Sequence, residues 1–129
     1  MLISTPVSIG EVVDKVTILA IKSERITDVE KLENINKELE LLREILSGVD
    51  GLWTKIESLY ADLKRINEEL WVIEDDIRIK EYKKEFDDEF IRLARAVYVT
   101  NDKRADVKKK INLKLGSELV EEKSYEDYQ

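Results

Sequence analysis

The chain has 129 residues, of which 43% are hydrophobic and 40% charged, and a formal net charge of −7. That apolar share is too large for a disordered acidic chain, and an acidic surface is repelled by phosphate backbones, so nucleic acid is not expected as a partner. With no Cys and no His, disulfides, zinc–thiolate sites and Ser-His or Cys-His nucleophiles are excluded.

In chain order, the first seven residues read as an extended leader, because Pro6 disfavours helix at Thr5. The amino terminus lacks a basic region followed by an apolar stretch of signal-peptide length. No segment approaches the roughly 18 apolar residues of a membrane span, so a cytoplasmic protein is expected. Ser8-Ile9-Gly10-Glu11 has the spacing of a capping box. Ile9, Val12, Val13, Val16, Leu19 and Ala20 follow at helical intervals, predicting a first helix over about residues 9–25.

Thr27-Asp28-Val29-Glu30 repeats the capping pattern and opens a second helix carrying Leu32, Ile35, Leu39, Leu42 and Leu46. It should stop near Ser47, with Gly48 in the left-handed conformation of a C-terminal cap. The turn through Gly51 is short, so the second and third helices are expected side by side and antiparallel.

The third helix has the strongest periodicity. Leu52, Ile56, Leu59, Leu63, Ile66, Leu70, Ile73 and Ile77 alternate by three and four, as in a coiled-coil seam. The pattern dissolves between Ile79 and Glu85 into a frayed end or loop. Asp87 is placed to cap a fourth helix, whose apolar face runs through Phe90, Leu93, Ala94, Val97 and Tyr98 and resumes at Val107, Ile111 and Leu115. Gly116 should end it, leaving a polar tail over 117–129. The expected fold is therefore all-α: an antiparallel bundle of about four helices, two of them long, in one domain spanning 1–129. The sustained seam on the third helix favours self-association as a homodimer.

Chemistry-bearing candidates are few. Thr100, Asn101 and Arg104 interrupt the stripe of the fourth helix, and Asn101 lies one turn from Val97 and Tyr98, so its amide should point partly inward. Glu74 and Arg78 stand at i and i+4, the spacing of a surface ion pair, while Glu74 could instead meet Arg92 or Arg95 between helices. Glu11 with Asp14, and Glu85 with Asp88, have the Glu-x-x-Asp spacing of magnesium ligands, but so acidic a chain produces such pairs by chance. No metal or cofactor is expected. The basic run from Lys103 to Lys114 reads as an answer to the helix dipole, neutralised in part by the acidic tail.

Three functions fit these residues, the least favoured being nucleic-acid binding through the basic stretch of the fourth helix at Lys108, Lys109 and Lys110. The favoured one is a non-catalytic interaction or assembly protein built on charged helical faces, with itself or another protein as partner. The alternative is a small-molecule-binding protein or enzyme whose polar pocket between helices draws on Lys15, Glu74, Arg95 and Asn101.

The run Val7-Ser8-Ile9-Gly10-Glu11-Val12-Val13-Asp14-Lys15-Val16-Thr17, with Leu70-Trp71-Val72-Ile73-Glu74-Asp75 and Tyr98-Val99-Thr100-Asn101-Asp102-Lys103-Arg104-Ala105, resembles a family of short uncharacterised proteins, chiefly bacterial. The ending Leu115-Gly116-Ser117-Glu118-Leu119-Val120-Glu121-Glu122-Lys123-Ser124-Tyr125 carries the resemblance most distinctively. The resemblance covers nearly the whole chain. It implies a domain of unknown function, one complete protein, and an association with genes for surface-sugar assembly.

Overall fold

A computed structural model describes residues 1–129. It contains four helices and no strand: α1 (Ile9–Arg25), α2 (Val29–Ser47), α3 (Leu52–Tyr82) and α4 (Asp88–Leu115). Their ends follow capping chemistry. Ser8 Oγ accepts the Glu11 amide at 3.2 Å, Asp28 that of Lys31 at 3.0 Å, and Asp87 that of Phe90 at 3.0 Å. The Ser8–Glu11 box stays half-made, because the Glu11 carboxylate turns to Lys108 at 2.7 Å. Gly116 ends α4 at φ +67°, a left-handed position that costs glycine least.

Two expectations are corrected. Gly48 is right-handed at φ −77°, and its amide bonds back to Ile45 and Leu46. The reversal comes instead at Gly51, with φ +66° directly before α3. The second correction concerns α2, which packs against α1 and not alongside α3. The seam of α3 is taken by α4, its principal neighbour. Between Ile79 and Glu85, where a frayed end or loop is expected, α3 stays helical to Tyr82 and the chain turns at Lys84, where φ is +57°.

One core draws on every helix. Val13, Val16 and Leu19 of α1 meet Ile35, Leu39 and Leu46 of α2, Leu52, Ile56, Leu63 and Ile66 of α3, and Val107 and Ile111 of α4. Gly10 lets the start of α1 approach α4 closely. A Cβ there would lie 2.7 Å from the Lys108 carbonyl oxygen and 2.8 Å from Asn112 Oδ1. The Gly10 amide donates to that same Oδ1 at 2.7 Å.

The core does not extend along the full length of the long helices. Beyond Leu70 no residue of α3 is buried, and before Thr100 only Leu93 of α4 is. These outer halves form a two-helix arm, about 18 Å long at 1.5 Å per residue. The arm turn is clamped by Lys80, whose ammonium meets Glu85 at 3.0 Å and Asp87 at 2.9 Å. No helix is long and apolar enough to cross a membrane.

Candidate functional site

Where the core ends and the arm begins, three helices each place a polar residue on the inward stripe. Asp14 follows Val13 on α1, Asn67 follows Ile66 on α3, and Arg104 interrupts the apolar face of α4. A carboxylate in a core must be paired, since an isolated buried charge is too costly to keep. Asp14 is 1% exposed and is fully engaged. Arg104 donates to it from Nε at 2.9 Å and from a terminal nitrogen, forming a two-pronged pair. Asn67 Nδ2 donates to Asp14 Oδ1 at 2.9 Å and to Thr17 Oγ1 at 2.7 Å, while the Thr17 hydroxyl donates to the Asp14 carbonyl at 2.7 Å. No buried side-chain nitrogen or oxygen lacks a partner.

Lys108 extends the network toward the tail. Its ammonium lies 2.7 Å from Glu11, 3.1 Å from Glu121 and 3.9 Å from Asp14. Burial pushes the Lys108 pKa down, but the hydrogen bonds to Glu11 and Glu121 and the Asp14 charge outweigh it, and the net shift is upward. The Arg104 pKa is also raised, first by its hydrogen bond to Asp14, with burial opposing. The tail is further tied to α4 by Glu122 near Lys109, by Lys123 near Asp102, and by the Tyr128 hydroxyl on Asp102 at 2.7 Å.

Over this network lies an open cleft of about 470 Å³ between α1, α3 and α4. Arg104 and Asn67 form its inner wall, and Lys22, Trp71, Arg78 and Asn101 are among its lining residues. Two Arg104 N–H directions are committed to Asp14, and a guanidinium has five. The others have no acceptor in the chain, and the side chain remains 28% exposed. Lys22 has no ion-pair partner. Arg78 is shared with Glu74 at 3.2 Å, and Asp75 completes the acidic side. The Arg25 guanidinium stands 6.0 Å from the centre of the Trp71 ring.

The family model for a family of unknown function, DUF6165, matches residues 3–128. The chain belongs to that family. Neither the curated proteins nor the solved structures yield a match.

Of the four residues expected to build a pocket, two meet. Glu74 and Asn101 line the same cleft. Lys15 lies on the far side of α1, exposed and paired with Glu38 of α2 at 2.8 Å. Arg95 projects from the arm and donates to the Tyr98 hydroxyl at 3.3 Å. Both lie on exposed faces away from the polar stripe, so the four do not converge. Glu74 makes the i, i+4 pair with Arg78 in place of one with Arg92 or Arg95. Neither Glu-x-x-Asp pair faces the other: Glu11 and Asp14 face Lys108 and Arg104, while Glu85 holds Lys80. The sequence marked Asp14 only as half of a Glu-x-x-Asp pair, and gave Thr17 and Asn67 no role. The signal available was their position on otherwise apolar helical stripes, the same signal that marked Asn101 and Arg104.

Proposed function

We propose that the cleft between α1, α3 and α4 binds a small polar molecule through an anionic group, a carboxylate or a phosphate. The observation that supports this most is Arg104: a guanidinium that lines the cleft, held by Asp14 through two N–H groups, with the others unpaired. An arginine held this way needs no reorganisation to receive an anion, and planar forked donors match carboxylate and phosphate oxygens. Lys22 supplies a second, uncommitted positive charge. Trp71 offers a flat apolar face, and Glu74 and Asp75 offer acceptors for hydroxyl or amino groups on the same ligand. The volume falls within the range of about 300–1,000 Å³ usual for small-molecule sites. The reading is one of recognition, without a stated reaction.

A cytoplasmic protein remains part of this proposal, as does the bacterial, surface-sugar context implied by the resemblance, which guides the choice of probe. Self-association, the other expectation, finds support in the arm, where Ile79, Phe86 and Ile91 are each more than half exposed.

The test is thermal denaturation with inorganic phosphate, succinate and a nucleotide sugar as probes. A ligand of the folded state raises the midpoint with concentration. We expect one probe class to do so, and Lys22→Gln to weaken the effect without altering the unliganded midpoint. Equal shifts in wild type and Lys22→Gln, or no shift with any anionic probe, would contradict it.

A further inference from the structure

The arm has only two layers of helix where the rest of the molecule has more. An amphipathic helix pair with nothing above it leaves apolar area in water, and that area is stabilised by a third surface. On α4 the uncovered side is a shallow groove of about 610 Å³ lined by Asp88, Ile91, Arg95, Ala96, Val99 and Lys103, among others. Asp88, Ile91, Arg95, Val99 and Lys103 recur at intervals of three and four, the spacing of one helical face, with Ala96 beside Arg95. Ile91 is 54% exposed, and Ala96, at the middle, is small enough to let another helix approach.

The charges along this face are segregated. Asp88 stands at the arm tip, Arg95 at mid-face and Lys103 at the base, while Asp87 and Glu89 are already paired with Lys80 and Arg92. A second copy laid antiparallel sets Asp88 against Lys103 twice, whereas a parallel copy sets Asp88 against Asp88 and Lys103 against Lys103. Opposed unlike charges favour association and fix its register.

We propose that this face of α4 is a self-association surface, on which a second copy of the chain packs its own α4 antiparallel about a two-fold axis near Ala96. That register places Asp88 opposite Lys103 of the second copy and Ile91 against Val99. The two arms together form a four-helix layer with a shared apolar seam, the arrangement that a single arm lacks. The surface is short, so the dimer belongs with weak, concentration-dependent associations.

Sedimentation velocity on the full chain at low ionic strength tests this, since screening weakens exposed charge pairs. Wild type is expected to shift from monomer to dimer as concentration rises. Ile91→Glu and Asp88→Lys should each move the shift to higher concentration at least several-fold, with helix content by circular dichroism unchanged. The double swap Asp88→Lys/Lys103→Asp should recover association lost in Asp88→Lys alone. A chain monomeric at every concentration, a dimer indifferent to both single variants, or a double swap as weak as Asp88→Lys would overturn the proposal. Association through an acidic helix of another protein would appear as a monomeric chain in this experiment.

Discussion

Arg104 on α4 donates from Nε to Asp14 on α1 at 2.9 Å, across 90 residues of sequence. The pair joins two helices that also meet through the Gly10–Asn112 hydrogen bond and the Lys108–Glu11 ion pair, and its Arg104 lines the cleft. Replacing Arg104 with Ala leaves a carboxylate that is 1% exposed without its two-pronged partner. The expected loss of stability in urea denaturation is about 3 kcal/mol, at the lower end for a broken buried pair, because Lys108 lies nearby. Asp14→Leu/Arg104→Met should cost less than the sum of its single variants, since no charge stays behind unpaired. Strict additivity would mean that the two residues act independently.

Gly10 is the second joint between α1 and α4. Ala at this position would place its methyl within 2.8 Å of Asn112 Oδ1 and still closer to the Lys108 carbonyl. Backbone cannot withdraw as a flexible side chain can, so Gly10→Ala should destabilise by about 1–3 kcal/mol despite the better helix propensity of Ala. Thermal denaturation of the variant checks this, and an unchanged or raised midpoint would show that the helices are free to separate there.

The arm turn should respond to pH. The hydrogen bond from Lys80, then that from the Phe90 amide, holds the Asp87 pKa below its ordinary 3.8. A group depressed on folding contributes stability that is present above its unfolded pKa and lost as pH falls through the folded one. Asp87→Asn should therefore flatten part of the stability loss below pH 3.8 seen in urea titrations. Lys80 is raised above 10.5 by Asp87 and then Glu85, so its contribution is present below that pH and lost as pH rises through the higher folded value. An acid limb identical in Asp87→Asn and wild type would contradict this assignment.

Periodicity made the helices legible, and caps made most of their ends legible. Ser8, Asp28, Asp87 and Gly116 all act where local chemistry places them. Local chemistry does not choose partners between helices, which is why α2 was expected beside α3 and lies against α1. The positive φ expected at Gly48 falls instead at Gly51, directly before α3. The site was legible only in part, for a similar reason. Asn101 and Arg104 stand out as polar interruptions within one helix, but the value of Arg104 depends on Asp14 and Asn67 arriving from two others. Lys15 and Arg95 have the right chemistry on the wrong faces.

The central claim is that the cleft receives an anionic ligand beside Trp71, and Trp71 fluorescence tests it most directly. The chain has two tryptophans, and Trp53 packs edge-to-face with Tyr60 outside the cleft lining, so Trp53→Phe leaves Trp71 as the sole tryptophan emitter. Titration with inorganic phosphate, succinate and a nucleotide sugar is predicted to give a saturable change in emission with one of them, weakened by Lys22→Gln. Emission that stays constant through every titration, or changes identically in the Lys22→Gln background, would contradict the account.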